Sequence, residues 1–155
     1  MLGKDVVDSG TVLLADDNPK NAQLFVRTLR ISGFENEVVV VGDGAEALEY
    51  LLGEGEHAER DPHAMPQLVV LDLNMPGMDA LELLGRIRGD ERTQQLPVVM
   101  ISAFCTLEDV QDAYRLGANA FIDKASASVP FEELVREVAY FWLAVNEPPP
   151  ASRRA

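Results

Sequence analysis

Short apolar runs alternate along this chain with longer segments of helical periodicity. Five apolar runs predict strands, at residues 11–15, 38–41, 67–71, 96–101 and 118–122. The continuous Val and Leu content of the longer runs indicates strands that are buried on both faces. Five segments between and after the runs predict helices, at residues 18–33, 43–52, 79–88, 106–116 and 130–145. This alternation predicts an α/β fold with a doubly wound five-stranded parallel sheet.

The elements predict one domain over residues 11–146, and three segments fall outside the strand–helix alternation. Residues 1–10 are mostly polar and predict a flexible lead-in. Residues 53–66 form a polar connection that is longer than usual for an α/β loop. Residues 147–155 contain three consecutive prolines, and we expect a Pro-rich tail there because proline cannot continue a helix.

Composition narrows the function classes. The chain has 155 residues, with 26 acids and 13 bases, and its formal net charge of −13 disfavours binding to nucleic acid or to an anionic membrane. Its single cysteine, Cys105, excludes an intramolecular disulfide framework and a multi-cysteine zinc site. No apolar run approaches the roughly 18–20 residues of a membrane span, and the first residues lack the long apolar region of a signal peptide. We therefore expect a cytoplasmic protein.

Residues with functional chemistry stand at the ends of four predicted strands. The first strand is followed by Asp16 and Asp17, the third by Asp72, the fourth by Ser102 and the fifth by Lys124. Ligands of open α/β sheets bind outside the carboxyl ends of the strands, where the three carboxylates are expected to meet. Each like-charge pair at about 4 Å costs on the order of 4 kcal/mol at an effective dielectric near 20. A Mg²⁺ ion, which prefers oxygen ligands, would offset that repulsion.

Each of these residues has an ordinary structural explanation when it is taken alone. An acid at a strand end often caps the following helix, and Asp72 lies before a Pro-Gly turn in which it can be an Asx-turn residue. A single serine or lysine is more often a solvated surface residue. The right residue type at all four strand ends favours the joint interpretation, a site for phosphoryl transfer. Mg²⁺ and Lys124 would neutralise the phosphoryl oxygens, and a carboxylate would be the nucleophile.

Four segments together resemble the receiver domain of two-component response regulators. They are residues 15–18 (ADDN), 71–80 (LDLNMPGMDA), 99–103 (VMISA) and 117–124 (GANAFIDK). The resemblance implies a flavodoxin-like (βα)5 fold with the strand order 2-1-3-4-5. It also implies a protein that catalyses its own phosphorylation and slow dephosphorylation, rather than an enzyme that acts on another substrate.

The resemblance further implies a phosphoacceptor and a metal site. Asp72 would receive the phosphoryl group. Asp17 and Asp72 would bind Mg²⁺ directly, together with the backbone carbonyl of Asn74, and Asp16 would hold the ion through water. Aspartyl phosphatases carry an acid two residues after the nucleophile. The amide of Asn74 in that position favours a switch that holds its phosphoryl group over a catalyst that turns over.

A second set of residues would carry the switch. Lys124 would bind one phosphoryl oxygen and Ser102 another, so that Ser102 reports phosphorylation. Phe121, three residues before the lysine, matches the aromatic switch position of the family and would turn inward as Ser102 moves. Two positions depart from the family pattern. Ala125 replaces the usual proline after the lysine, and Phe121 has no hydroxyl, so a packing change must carry the signal.

A narrower resemblance is to small single-domain response regulators that partner bacterial phytochrome-type histidine kinases. It rests on the long connection after the second helix, on the absence of an output domain and on the residues Phe141, Trp142 and Leu143. We expect a protein that takes a phosphoryl group from a phosphohistidine of a sensor kinase. Two alternatives remain open: an intermediate phosphoryl carrier in a multistep relay, and an aspartyl-phosphatase-like enzyme.

Helical periodicity singles out two candidate interfaces. At about 100° per residue, Leu24 and Ile31 fall opposite the core face of the first helix, and the family resemblance makes them candidate contacts of the kinase. On the last helix, the predicted core stripe consists of Phe131, Leu134, Val135, Val138, Trp142 and Val145. Tyr140, Phe141 and Leu143 fall away from that stripe, which predicts a homodimer interface.

Overall fold

The computed structural model describes residues 10–61 and 64–150. The strands are Val12–Ala15 (β1), Val38–Val41 (β2), Leu68–Asp72 (β3), Val98–Ser102 (β4) and Ala120–Asp123 (β5). The α-helices are Pro19–Ile31 (α1), Gly44–Leu52 (α2), Ala80–Gly89 (α3), Leu107–Arg115 (α4) and Phe131–Ala139 (α5). A 3₁₀ turn at Gly55–His57 follows α2, and a π-helical segment at Tyr140–Val145 follows α5.

The five strands form one parallel sheet in the order β2-β1-β3-β4-β5. This confirms the predicted fold class and strand order. The central strands β1, β3 and β4 are buried along their whole length, whereas the edge strands β2 and β5 are partly exposed. Continuous apolar content therefore predicted burial on both faces correctly for the strands that have two neighbours.

Side-chain caps fix where the helices begin. The Asn18 side chain accepts the N–H of Lys20 at 2.9 Å, and Pro follows in the first turn, where a missing N–H costs nothing. The Asp43 carboxylate accepts the N–H of Glu46 at 2.8 Å at the start of α2. Thr106 opens α4 with a reciprocal capping box. Because each cap follows a strand end, the chain turns back sharply and leaves the carboxyl edge of the sheet open.

Two apolar clusters fill the space between the sheet and the helices, one on each face. The first packs strand residues such as Leu13, Val69 and Met100 against α2, α3 and α4. The second packs strand residues such as Leu14 and Val70 against α1 and α5. The sheet is thereby covered on both sides, and the polar residues that follow the strands lie at its carboxyl edge.

The polar connection after α2 is held to the body of the protein by Arg60. Its guanidinium donates to the carbonyl oxygens of Tyr50 at 2.6 Å and Leu51 at 3.0 Å, and also to that of Ala64. It lies 4.2 Å from the centroid of the Tyr50 ring. Tyr50 and Leu51 lie in the last turn of α2, where intrahelical donors run out, so Arg60 supplies additional donors to the end of that helix. His57 is also half-buried in this connection, with Nε2 3.4 Å from a Glu46 carboxylate oxygen.

The last predicted helix changes its winding at Tyr140. Hydrogen bonds of a π-helix run from residue i to i+5 instead of i+4, so each residue turns through less than the 100° of an α-helix. Two predictions are wrong for this reason: Leu143 packs against the core, and Val145 is 54% exposed. Trp142 packs against the core as predicted. The buried Gln67 side chain lies under this segment, with Nε2 3.5 Å from the carbonyl oxygens of Trp142 and Leu143.

Most of the predicted lead-in and part of the predicted tail, residues 1–9 and 151–155, lie outside the described residues. The division into lead-in, domain and tail therefore stays a prediction. Gly10 is bonded through both backbone groups, to the side chains of Gln67 and Asn36. Within residues 10–61 and 64–150, none of the helices is both long and apolar enough to cross a membrane.

Candidate functional site

Three carboxylates meet at the carboxyl edge of the sheet, as the strand ends predicted. Asp72 is the last residue of β3, and Asp16 and Asp17 directly follow the neighbouring strand β1. One carboxylate oxygen from each residue lies within 4.8 Å of the others. Asp16 and Asp72 are buried, and Asp17 is exposed. The parallel pairing of Ala15 with Leu71 in the strand register produces this meeting.

The Asp16 carboxyl is buried close to two other carboxylates. Burial raises its pKa, and the nearby charges of Asp72 and Asp17 raise it further. Two groups oppose the rise: the backbone N–H of Asn18, which donates to Asp16 Oδ1 at 2.9 Å, and the positive charge of Lys124. The cluster is thus short of positive charge, and a cation would stabilise it.

The donor set fits a hard divalent cation. All three candidate side chains offer carboxylate oxygens, which Mg²⁺ and similar ions prefer, and their spacing allows one ion to touch several of them. A soft metal would call for thiolates or imidazoles, and none belongs to this cluster of described residues. The structure therefore supports a metal-binding carboxylate cluster.

Lys124 supplies the fixed positive charge on the other side of the cluster. Its backbone N–H donates to the carbonyl oxygen of Ser102 at 2.8 Å, which continues the β4–β5 pairing by one residue. Its ammonium lies 4.8 Å from the centroid of the Phe131 ring, and its charge lowers the pKa of Asp16. The half-buried lysine is therefore held between α5 and the carboxylates.

Ser102 ends β4 and is fully buried, with 0% exposure. Its hydroxyl oxygen lies 2.8 Å from Asn74 Oδ1 and 2.7 Å from the Phe104 carbonyl oxygen, and it accepts the Phe104 N–H at 3.1 Å. Phe121 pairs with Met100 in the β4–β5 register and packs half-buried against the core. Both predicted switch residues therefore lie on neighbouring strands at this edge of the sheet.

Sequence reasoning missed the side chains that surround Ser102. It considered Asn74 only for its backbone carbonyl and for the absence of an acid, yet its side-chain amide bonds both Ser102 and Phe104. Phe104 itself is 80% exposed directly beside the site. The spacing of Asn74 two residues after Asp72 was a signal for position, but no pattern in the sequence reveals its contact with a residue 28 positions away.

The two candidate kinase contacts, Leu24 and Ile31, differ in exposure and in position. Ile31 is 72% exposed, whereas Leu24 is only half-buried on the same helix. Ile31 lines a groove together with Phe34, Tyr140 and Phe141, at the end of α1 away from the carboxylates. The structure thus brings Ile31 together with the candidate dimer residues.

Cys105 lies close to the site but is not activated. Burial raises the pKa of its thiol, and the neighbouring Asp123 carboxylate raises it further. The thiol is therefore held in its protonated, less nucleophilic form.

Comparison with known proteins gives a consistent set of relatives. A family model described as the response regulator receiver domain matches residues 12–138. Response regulator Rcp1 of Synechocystis is 30% identical over 132 residues, which cover 85% of this chain and 88% of Rcp1. The crystal structure of Rcp1 in its Mn²⁺-bound form has a TM-score of 0.82 at 27% identity, and the match covers 90% of this chain and 99% of that one.

Two further solved structures are similar over most of the chain. The phosphorylated cyanobacterial phytochrome response regulator RcpA has a TM-score of 0.82 at 34% identity, covering 90% of this chain and 98% of its own. The bacteriophytochrome response regulator RtBRR has a TM-score of 0.71 at 37% identity, covering 94% of this chain and 87% of its own. The residues matched by the family model, 12–138, include all five strands and the three carboxylates described above.

Proposed function

The chain belongs to the response regulator receiver domain family of two-component signalling, and from that premise we propose that Asp72 accepts a phosphoryl group from the phosphohistidine of a sensor kinase. The observation that carries the proposal is the cluster of Asp16, Asp17 and Asp72 beside Lys124. Asp72 is the buried carboxylate at the end of the central strand β3, which gives a nucleophile held in a fixed position.

In this reaction a carboxylate oxygen of Asp72 forms a bond to phosphorus. The bond from phosphorus to the kinase imidazole breaks, and the imidazole leaves with the electron pair of that bond. Lys124 offsets negative charge on the phosphoryl oxygens through its ammonium. The backbone N–H of Asn74 donates to Asp72 Oδ1 at 3.0 Å, so it holds the nucleophile in place.

The metal that we propose for the carboxylates is Mg²⁺. Asp17 and Asp72 would bind it directly with the backbone carbonyl of Asn74, and Asp16 would hold it through water. When bound, Mg²⁺ supplies positive charge against the phosphoryl oxygens. Support comes from the all-oxygen donor set and from Rcp1, a relative whose structure contains Mn²⁺.

The proposed switch runs from Ser102 to Phe121. Ser102 would donate its hydroxyl to a phosphoryl oxygen, and Phe121 on the adjacent strand would repack toward the space that Ser102 leaves. Because Phe121 has no hydroxyl, the response is a change in packing. Asn74 offers no carboxyl to act as a general acid, which favours a switch or an intermediate phosphoryl carrier over a phosphatase.

The partners that we propose are a sensor histidine kinase of the phytochrome type and a second copy of this chain. The kinase type is suggested by RcpA and RtBRR, whose names describe them as phytochrome and bacteriophytochrome response regulators. Self-association is suggested by Tyr140 and Phe141, which are 63% and 47% exposed. The inward position of Leu143 limits that surface to the other two residues.

Phosphorylation in the presence of Mg²⁺ tests the assignment of Asp72. With acetyl phosphate as donor, we expect the chain to gain one phosphoryl group by intact-protein mass spectrometry, and Asp72→Asn to abolish it. Asp79→Asn is a matched control, because Asp79 caps α3 from the same loop and asparagine is an equally good cap. Undiminished labelling of Asp72→Asn would exclude Asp72 as the phosphoacceptor.

A further inference from the structure

The hydroxyl of Ser102 is enclosed by a ring of hydrogen bonds that contains two other residues. It faces Asn74 Oδ1 at 2.8 Å and the Phe104 carbonyl oxygen at 2.7 Å. The Asn74 side-chain amide also donates to the same Phe104 carbonyl at 3.2 Å, and the Phe104 N–H donates back to the Ser102 hydroxyl at 3.1 Å. We call Ser102, Asn74 and Phe104 the hydroxyl ring.

Within the hydroxyl ring, two acceptors compete for the single hydrogen of the Ser102 hydroxyl. A serine hydroxyl carries one hydrogen and can donate it to one acceptor at a time. Both neighbours, the Asn74 side-chain oxygen and the Phe104 carbonyl oxygen, can only accept. A phosphoryl oxygen would be a third acceptor. Ser102 can therefore donate to a phosphoryl group only by giving up the hydrogen bond that it donates within the ring, to Asn74 or to Phe104.

We propose that the Asn74 side chain is a positioning residue that holds the Ser102 hydroxyl in its resting orientation and sets how readily Ser102 turns to the phosphoryl group. This inference rests on the proposed phosphorylation of Asp72. Asn74 is suited to the role because its backbone N–H is bonded to the Asp72 carboxylate at 3.0 Å while its side chain is bonded to Ser102. One residue thus touches both the phosphoacceptor and the switch.

Phe104 is the residue of the hydroxyl ring whose backbone loses hydrogen bonds when Ser102 turns away. Its N–H and its carbonyl are both held by the Ser102 hydroxyl, and the carbonyl is also held by Asn74. Its aromatic side chain is 80% exposed, so few packing contacts replace these bonds. Release of Ser102 therefore loosens the backbone that presents an aromatic side chain beside the phosphorylation site.

The resting ring is tested first in the metal-free, unphosphorylated protein. Ser102→Ala removes the hydroxyl, and we expect the NMR signals of the Phe104 N–H and of the Asn74 side-chain amide to shift. Ser126→Ala is the matched control, because its hydroxyl bonds Asp123 outside the ring, and it should leave both signals in place. Unchanged signals in Ser102→Ala would overturn the proposal.

The competition is tested with beryllofluoride, a phosphoryl mimic, in the presence of Mg²⁺. Asn74→Leu keeps the backbone carbonyl and removes the side-chain acceptor. We expect it to bind beryllofluoride roughly fivefold more tightly than wild type, as for the loss of one ordinary competing hydrogen bond. Asn74→Ala should act in the same direction. In a Ser102→Ala background, Asn74→Leu should have no effect, because the hydroxyl through which it acts is gone.

The outcomes separate this proposal from the proposed function. If wild type does not bind beryllofluoride, or if Asp72→Asn binds it equally well, the phosphoacceptor assignment fails and the inference fails with it. If binding depends on Asp72 while Asn74→Leu has no effect, or has the same effect with and without Ser102, only the positioning role is overturned. Asn146→Leu, beyond the π-helical segment, is the control for the substitution itself and should bind as wild type does.

Discussion

Asp16 and Asp72 are buried carboxylates, and their burial beside Asp17 costs free energy that the rest of the fold must offset. The nearby N–H of Asn18 and the charge of Lys124 offset part of it, yet the pKa of Asp16 stays raised. Under the proposed function, a cation and a phosphoryl group bind here, and without them the repulsion between the carboxylates is not offset. This is the expected exchange of stability for function.

Asp90 gives a pH prediction away from the site. The Arg92 side chain and backbone N–H both donate to it and lower its pKa to about 2. A lowered folded-state pKa means that the pair stabilises the fold above the ordinary value of about 4. That contribution is lost as the pH falls through about 2. NMR titration of the carboxyl carbon should find this midpoint, and Arg92→Gln should raise it toward the ordinary range, because the side-chain bonds are lost while the backbone N–H bond remains.

Individual residues also show what the sequence reveals and what it leaves hidden. The types of Asp16, Asp17, Asp72 and Lys124 were sufficient to predict a common site, because parallel strands end at one edge of the sheet. The bond between Ser102 and Asn74 was not predictable. It depends on side-chain orientations across 28 positions of sequence, and no local pattern encodes them.

Arg88, near the end of helix α3, forms hydrogen bonds with two neighbouring loops. Arg88 donates to the backbone carbonyls of Gln94, Leu96 and Gly117 and to the Asn119 side chain, at 2.8–3.0 Å. Burial lowers its pKa. These bonds link α3 to the loop that precedes β4 and to the loop that follows α4.

Replacement of Arg88 should destabilise the protein well beyond an ordinary surface change. We expect Arg88→Met to lower the free energy of unfolding by about 2–4 kcal/mol, because three backbone carbonyls, including that of the buried Leu96, lose a charged donor. Arg86→Met, two residues away in an exposed pair with Glu82, should cost less than about 1 kcal/mol. Urea unfolding of the two variants makes the comparison. Equal losses would show that the Arg88 bonds add nothing specific.

Helix α1 is the element that we expect to contact the kinase. Leu24→Asp should slow transfer from the kinase about tenfold, while labelling by acetyl phosphate survives, because the small donor needs no docking surface. Ile31→Asp should be measured in the same two assays for comparison, because Ile31 lies in the groove with Tyr140 and Phe141 and away from the carboxylates. A loss with both donors in Leu24→Asp would indicate misfolding, because Leu24 is half-buried.

In the C-terminal segment, helical periodicity no longer predicts correctly which residues are buried. A fixed angle per residue placed Val135 and Val138 of α5 correctly, and both are buried. It then placed Leu143 and Val145 on the wrong sides, because the chain widens to π-helical winding at Tyr140. The polar partner of that widened turn is Gln67, from a distant part of the sequence.

At the scale of the whole molecule, the order of strands was predictable from the sequence, whereas the homodimer stays a prediction. The strand order follows from the family resemblance and is confirmed. The exposed Tyr140 and Phe141 lie with Ile31 on one face of the protein. Two copies of a chain with a net charge of −13 repel each other, so apolar contact has to outweigh that repulsion.

Light scattering of the unmodified protein at tens of micromolar should give the mass of a dimer. We expect Tyr140→Asp with Phe141→Asp to raise the dissociation constant at least about tenfold. Added salt should strengthen the wild-type dimer by screening the like charges. Leu107→Asp is the control, because Leu107 is also an exposed apolar residue but belongs to α4. A monomeric wild type, phosphorylated or not, would rule out self-association through this face.

Trp142 gives the molecule a built-in optical reporter. It is the single tryptophan of the chain, and its ring lies edge-on to Phe141 with centroids 4.9 Å apart. Its carbonyl faces Gln67, just before β3, while Asp72 ends that strand, five residues of about 3.3 Å each further on. Intrinsic fluorescence therefore samples the edge of the sheet opposite the carboxylates. A change in emission on phosphorylation would record a signal that has travelled the length of the sheet.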